Sequence, residues 1–439
     1  MKRQRRQLLK FGFSTSLLSL LPLPTLSDQP VKAIHRKSPS VLQGATDETQ
    51  TQFSILFDKS VDLQIYVTDE SDNKVEATES EIIERKDHPL RITKAYFSEL
   101  SPRQPYQLII ENSDTEQIID QRQFQTLDLS SERFDFVLGS CMDEKNHDPK
   151  IWQSLVAQNP QVIFFIGDHC YADEGAPSSG ANPQHLWKRF CETRTTLEIF
   201  FSPRLIPILA VWDDHDFGQN DSNADEYPFV KQSQHNFLSF FAQDDQYCNL
   251  MIKGPGISSA YKFKNQLVLL MDDRSFRKPR NSKDLHAHWG KEQFEWMKDL
   301  IKNHEGPTWF FNGSQIFPAI FWKESVSGDH TEQFNELLKT LKSVSSKVIF
   351  GSGDVHYSEI SAIEAEALGY KTFEVTSSSV HSRSFPGVPD IVPNRRRVVG
   401  AGARNFNLVR STARNVGADF EVICLDTEAR VLYRRSLRV

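Results

Sequence analysis

Five consecutive residues, Trp212 to Asp216, read WDDHD and place three carboxylates and one imidazole side by side. Carboxylates at this density repel one another, and some would have to stay protonated unless cations offset their charge. A turn or a helix cap uses one Asp, whereas this cluster has three around a His. The cluster therefore indicates a site that binds cations.

Other apolar runs in the chain also end in chemically capable residues. The runs are FDFVLGSCMD, VIFFIGDHCY, IPILAVWDDHD, LVLLMDDR, TWFFNGSQ and KVIFGSGDVHY. Taken alone, GSC, GDHCY and GDVH are weak evidence, because buried cysteines usually only pack and Gly-Asp is common in turns. Taken together, they predict strands whose carboxyl ends meet, where sites form in α/β folds. The predicted multi-metal site contains Cys141, Asp168, Tyr171, Asp213, Asp214, His215, Asn220, Asp354 and His356.

Helical stretches separate several of these runs. Asp148 is expected to cap a helix that Pro149 opens, and KEQFEWMKDLIKN, residues 291–303, has apolar residues on one face. Strands that alternate with helices are typical of an α/β domain. We therefore predict an α/β catalytic domain over residues 129–439.

The segment before this domain has a different pattern. Residues 50–128 alternate apolar and polar residues, which is typical of half-buried strands. They predict a small all-β sandwich of immunoglobulin or fibronectin type III size, or else a β-extension without an independent fold. Residues 28–49 are polar and contain prolines, and we expect a linker there.

The first 27 residues have a basic head followed by a short apolar stretch, which predicts an export signal. Arg5 and Arg6, followed by QLLK, favour the twin-arginine type over an ordinary secretory signal. The sequence shows no long apolar segment after it and no lipid-attachment cysteine. We expect a periplasmic or extracellular protein that uses the twin-arginine machinery and has no integral membrane association.

Charge and cysteine content narrow the function further. The formal net charge is −7, which argues against a stable nucleic-acid partner. The 5 cysteines are scattered and odd in number, so they do not form the pattern of a disulfide framework.

These motifs, in this order, resemble those of the PhoD-like alkaline phosphatases and phosphodiesterases, within the calcineurin-like metallophosphoesterase group. The resemblance covers GSC at Cys141, GDHCY, WDDHDFGQND, MDDRSFR and SGDVHYSEI. It implies a catalytic domain with a metallophosphoesterase-like β-sandwich core flanked by helices, preceded by the small immunoglobulin-like or fibronectin-like domain. It also implies a metal-dependent hydrolase that acts on small phosphate esters.

The resemblance implies a ligand set as well. Cys141, Asp168 and Tyr171 would hold a ferric ion, with Asp354 or His356 completing the shell. Asp168 would bridge to a second metal, and Asp213, Asp214 and Asn220 offer the hard oxygen ligands that suit calcium. His215 would contact phosphate or protonate the leaving group.

Four assignments stay open at this stage. Asp213 and Asp214 are both candidate ligands, and one of them could instead orient His215. Arg189 is taken as a catalytic, phosphate-binding residue, with a plain ion pair as the alternative. The ion-pair role is preferred for Arg274. Cys170 is expected to pack, with a thiolate ligand as the alternative.

The predicted activity is hydrolysis of phosphomonoesters, and possibly phosphodiesters, at alkaline pH to release phosphate. The alternatives are a phosphodiesterase or phospholipase-like enzyme on the same fold, and a non-catalytic secreted binding protein. The Pro- and Arg-rich segment HSRSFPGVPDIVPNRRRVVG, residues 381–400, is either a lid over the site or a surface excursion.

Overall fold

The computed structural model describes residues 38–318 and 323–439. The predicted signal peptide, residues 1–27, and the first part of the predicted linker, residues 28–37, lie outside the described residues. The described residues belong to one compact unit. Within the described ranges, no helix has the length and apolar character needed to cross a membrane.

The N-terminal strands of the described chain form two antiparallel sheets, with the orders β1-β2-β6-β5 and β4-β3-β7-β8. The strands are β1 (Ser40–Thr46), β2 (Thr51–Asp58), β3 (Leu63–Thr68), β4 (Lys74–Glu76), β5 (Glu79–Glu84), β6 (Leu90–Phe97), β7 (Pro105–Asn112) and β8 (Ile118–Gln125). The sheets share a core in which the rings of Phe53 and Phe124 lie 5.1 Å apart. The predicted strands are therefore present, whereas an independent domain at residues 50–128 stays a prediction.

The linker prediction for residues 28–49 is wrong at β1. This strand pairs with β2 along its length, and all its residues are buried. Val41 belongs to the core between the two N-terminal sheets, and Leu42 belongs to the main core of the chain. The short strand was missed because Pro39 and Gly44 resemble linker residues. Gly44 is instead needed for a close approach, since a Cβ there would lie 1.8 Å from the Ala242 carbonyl oxygen.

The remaining strands form two mixed sheets, with the orders β11-β10-β9-β20-β21-β22 and β12-β13-β14-β15-β16-β18-β17-β19. They are β9 (Arg133–Gly139), β10 (Val162–Ile166), β11 (Ile208–Val211), β12 (Met251–Lys253), β13 (Ser259–Phe263), β14 (Gln266–Leu270), β15 (Thr308–Phe311), β16 (Val348–Ser352), β17 (Ser358–Ile363), β18 (Thr372–Thr376), β19 (Arg397–Ala401), β20 (Asn405–Arg414), β21 (Gly417–Asp426) and β22 (Val431–Arg438). Strands β9, β10 and β11 are parallel, as are β14, β15, β16 and β18.

The helices lie between these strands. They are α1 (Pro149–Ala157), α2 (Pro183–Thr196), α3 (Asp214–Phe217), α4 (Val230–Phe240), α5 (Lys291–Lys302), α6 (Val326–Asp329), α7 (Thr331–Lys342), α8 (Ala365–Leu368) and α9 (Val388–Ile391). Asp148 caps α1 as predicted, because its side chain accepts from the backbone N–H of Lys150. Helix α5 matches the predicted amphipathic stretch. The expectation of a sheet-rich α/β domain is confirmed.

Aromatic side chains join the two mixed sheets. Phe136 on β9 packs edge-on against Trp309 on β15, with ring centres 5.0 Å apart. On β14, Val268 belongs to this core between the sheets, whereas Leu269 packs with α5 and α7 on the outer face. Strands β10 and β11 are apolar throughout, and both their faces are buried. Polar residues therefore gather where these strands end.

Arg194 on α2 ties the N-terminal strands to the rest of the chain. Its guanidinium is buried and donates to the carbonyl oxygens of Ser40 (3.0 Å), Ser54 (2.8 Å) and Phe240 (2.9 Å). These carbonyls belong to β1, β2 and the end of α4. The side chain thus satisfies three buried acceptors from three elements.

We expect Arg194→Met to lower the free energy of unfolding by about 3–5 kcal/mol, because it leaves buried carbonyl groups unpaired. Urea denaturation measures the change. Lys188→Met, on the exposed face of the same helix, is the matched control and is expected to cost less than about 1 kcal/mol. Equal losses in both variants would contradict the role given to Arg194.

Candidate metal centre

The loops that follow β9, β10 and β16 carry predicted site residues in an uncommon backbone conformation. Cys141, Asp168, Asp354 and His356 have φ values of 59°, 53°, 67° and 59°. Left-handed backbone is unfavourable for residues with a Cβ, and it clusters at functional sites. The turns direct these side chains toward one end of the two sheets, where they meet.

The first group joins three of the predicted ligands. Donor atoms of Cys141, Asp168 and His356 all lie within 4.8 Å of one another. The Cys141 thiol lies 3.5 Å from Asp168 Oδ2, and Ser378 Oγ donates to Cys141 Sγ at 3.0 Å. The Tyr171 hydroxyl lies 3.3 Å from His356 Nε2, so Tyr171 borders the same group.

Two further groups extend the first, each sharing one residue with the group before it. Asp168, Asp214 and His215 form the second group, and Asp214, Asp221 and Glu324 form the third, each with donor atoms within 4.8 Å. Asp168 belongs to the first two groups, and Asp214 belongs to the last two. The three groups are therefore continuous.

The three aspartates of WDDHD have three different surroundings. Asp213 is paired with the buried guanidinium of Arg274, whose Nε donates to Oδ1 at 2.8 Å. Asp214 belongs to both the second and the third group of donor atoms. Arg274 contacts one oxygen of Asp213, whereas the other, Oδ2, is buried without a hydrogen-bond partner among the described residues, so both aspartates stay candidate ligands.

Asp216, the third aspartate, is a backbone acceptor. Its carboxylate accepts from the N–H groups of Asp168 (2.6 Å), Cys170 (2.7 Å) and Asp213 (3.0 Å). His169 Nδ1 lies 3.1 Å from the same carboxylate. Asp216 therefore fixes the loop after β10 against the loop after β11.

His215 is held from two sides. Its Nδ1 lies 2.7 Å from Asp173 Oδ1, and its ring stacks on Tyr171 at a centroid distance of 4.2 Å. With Nδ1 engaged, Nε2 is the nitrogen left for a substrate. The negative charges of Asp214 and Asp168 raise the pKa of His215 well above its ordinary value, although burial opposes them.

The donor set fits metal ions. Buried oxygen atoms of Asp168 (Oδ1), Asp213 (Oδ2) and Asp354 (Oδ2) have no hydrogen-bond partner within the described residues. Burial raises the pKa of Asp354 to about 7 and that of the Cys141 thiol to about 12. Unpartnered, desolvated donors that favour protonation become anionic ligands when a cation is beside them.

One predicted ligand is placed differently from the others. Asn220 is exposed, and the backbone N–H of Asn220 donates to Asp173 Oδ2 at 3.1 Å. Asp221 and Glu324 are the residues whose carboxylates lie beside Asp214. A ligand role for Asn220 stays a prediction.

Arg189 requires a correction. Its guanidinium pairs with Glu144, Glu174 and Glu192, and its Nε donates to the Tyr171 carbonyl at 3.2 Å. These partners use the donors that a phosphate would need. We therefore replace the catalytic, phosphate-binding prediction for Arg189 with the ion-pair alternative, in which Arg189 positions the Tyr171 backbone.

Sequence reasoning missed Asp173, Asp221, Glu324 and Lys323. Lys323 Nζ lies 3.6 Å from Asp354 Oδ1, on the rim of the acidic groups. Asp173 lies two residues after Tyr171 and continues the GDHCY motif, so its position was a usable indication. Glu324 and Lys323 follow no strand and have no motif around them, so only the fold brings them here.

Comparison with known proteins agrees with this architecture. The chain superposes on a solved structure titled "Structure of PhoD" with a TM-score of 0.67 and 15% identity, covering 90% of this chain and 88% of that chain. The fold is PhoD-like. No protein-family model and no curated protein matches the sequence.

A second match, the sensor domain of the anti-sigma factor RsgI4 in Pseudobacteroides cellulosolvens, has a TM-score of 0.17 and 21% identity. It covers 21% of this chain and 93% of that chain, and it is too distant to describe the fold.

We expect Arg274→Met to lower the free energy of unfolding by about 3–5 kcal/mol, because Asp213 would be left buried without its cation. Lys278→Met removes an exposed cation paired with the exposed Asp225 and is expected to change stability by less than about 1 kcal/mol. Urea denaturation of both variants makes the comparison. A fully stable Arg274→Met protein would contradict the ion-pair role.

Proposed function

We propose that the chain is an exported, metal-dependent phosphoric ester hydrolase that cleaves phosphomonoesters, and also phosphodiesters, at alkaline pH. The observation that carries this proposal is the sharing of Asp168 and Asp214 among three adjoining groups of donor atoms. Carboxylates that bridge neighbouring cations are typical of two-metal phosphoesterase sites. The PhoD-like fold supports the same class of reaction.

The donor chemistry favours two kinds of metal ion. Cys141, Tyr171 and His356, together with Asp168, would hold a ferric ion, because a thiolate and a phenolate are anionic donors suited to a trivalent ion. Asp214, Asp221 and Glu324 offer hard oxygen ligands, which suit calcium. Asp354 has an unpartnered oxygen available to either ion.

Bound metal ions would offset the charge on the phosphate oxygens and lower the pKa of water. The chain's own residues position the substrate and move the proton. Lys323 lies on the rim of the acidic groups and supplies a cationic contact for a phosphate oxygen. Burial of the surrounding loops strengthens each of these electrostatic contacts.

His215 is the proposed general acid. Asp173 fixes the ring through Nδ1, and its carboxylate favours the protonated imidazole by raising the pKa of His215. Nε2 is then free to give its proton to the leaving alkoxide, which would otherwise depart as a strong base. Asp173 also holds the Asn220 backbone, so it links the acid to the loop beside the site.

We expect Asp173→Asn to lower kcat/KM by about 10- to 100-fold and to shift the alkaline limb of the pH–rate profile to lower pH. The shift follows because the Asp173 carboxylate helps to raise the pKa of His215, so His215 loses its proton earlier without it. Steady-state kinetics between pH 6 and 10 test both parts. Asp225→Asn, in an exposed ion pair, is the control.

The activity itself is tested with the mature chain purified without chelator. We expect turnover of p-nitrophenyl phosphate and bis-p-nitrophenyl phosphate, increased by calcium and lost in EDTA, because bound metal ions would hold the phosphate and lower the pKa of the attacking water. The ratio of the two rates decides between monoesters and diesters. Protein shown to hold metal but inactive on both esters would refute the proposal and favour a binding role.

A further inference from the structure

The Pro- and Arg-rich segment, residues 381–400, contacts the metal centre. His356 Nδ1 lies 2.7 Å from the carbonyl oxygen of Arg383, which fixes this part of the segment to the site. The Phe385 ring stacks on His356, with ring centres 5.8 Å apart and planes at 21°. Phe385 therefore packs directly on a candidate metal ligand.

Phe385 is only partly covered in this position. Its side chain keeps 38% exposure, whereas Trp212 and Phe217 beside the metal centre are fully buried. The Arg383 guanidinium lies over the Phe385 ring, 5.5 Å from its centre, and is exposed. The Arg383 guanidinium contacts the Phe385 ring and forms no ion pair with a carboxylate within residues 38–318 and 323–439. A partly exposed aromatic ring and an exposed guanidinium, in contact with each other, thus adjoin the candidate metal ligand His356.

We propose that Phe385 and Arg383 bind a planar ring on the leaving group of the substrate, so that the preferred esters carry a nucleobase or a similar aromatic group. This inference rests on the proposed phosphoric ester hydrolase activity and narrows its substrate class. Planar bases stack on aromatic side chains and on guanidinium planes. His356 holds both residues beside the phosphate site, which lets one substrate reach both.

The exposed residues nearby do not suggest a purely apolar occupant. Ile391, on the same segment, is 78% exposed and would favour an aliphatic chain if it were alone. An unpaired guanidinium next to an aliphatic chain would lose hydration without gaining a partner. A planar aromatic ring can instead present its π face to the guanidinium and pack against the exposed part of the Phe385 ring. The combination of the two side chains therefore favours a planar group.

The test compares two ligands that differ only in the base, adenosine 5′-monophosphate and ribose 5-phosphate. Each is measured as an inhibitor of hydrolysis of p-nitrophenyl phosphate or bis-p-nitrophenyl phosphate, whichever ester the protein cleaves faster. Inhibition constants report binding even if neither ligand is itself a good substrate. We expect the nucleotide to bind about tenfold more tightly than the sugar phosphate, the effect of one stacked base.

Two variants locate that preference. Phe385→Leu removes the aromatic ring, and Arg383→Met removes the guanidinium while keeping the carbonyl that contacts His356. In each, we expect the inhibition ratio to fall toward one, with the constant for ribose 5-phosphate changed less than twofold. Ile391→Ser, on the same segment, is the control and should keep the wild-type ratio.

The outcomes separate this inference from the proposed activity. Equal inhibition of the wild-type protein by the two ligands would overturn the ring-binding role and leave the hydrolase proposal standing. A preference retained in both variants would also overturn it. If metal-loaded protein cleaves neither nitrophenyl ester, the proposed activity fails, and the inference fails with it. A parallel loss for both ligands would show that Phe385 only supports His356.

Discussion

The carboxylate of Asp216 makes the contacts on which the arrangement of the candidate metal centre depends. It accepts hydrogen bonds from backbone N–H groups in the loops after the parallel strands β10 and β11. These bonds fix the distance between Asp168 and the neighbouring Asp213 and Asp214. Trp212 adds a second tie, since its indole N–H donates to Asp272 at 2.7 Å and joins this region to the loop after β14. Geometry is thus set by residues that need not touch a ligand.

The cluster WDDHD therefore combines three tasks in five residues. One carboxylate is neutralised inside the protein by Arg274, one faces the groups of donor atoms, and one organises the backbone. The repulsion expected from the sequence is reduced because the three charges point to three different partners.

Most of the site residues that could be predicted from the sequence lie at the ends of strands. Cys141, Asp168, Asp214 and His356 follow buried apolar strands, and the α/β arrangement brings such positions together whatever their separation in sequence. Glu324 could not be predicted, because it lies outside any strand end and comes near Asp214 only through the tertiary fold.

Arg189 was misjudged for a related reason. The sequence shows that Arg189 is a cation, but Glu144 and Glu174, the carboxylates that pair with it, come from other segments of the chain. Strand β1 was missed because its seven residues are flanked by linker-like residues, while the two cores that cover it are distant in sequence. In both cases the contacts that the sequence could not show are made with residues distant along the chain.

All five cysteines, Cys141, Cys170, Cys191, Cys248 and Cys424, are free and buried. An oxidising compartment pairs thiols that an unfolded chain exposes, whereas thiols enclosed in a finished core are protected from that chemistry. A protein of this kind keeps its thiols reduced if folding is complete before it meets oxidant. Folding before any contact with oxidant would then preserve the sulfur of Cys141, a candidate metal ligand.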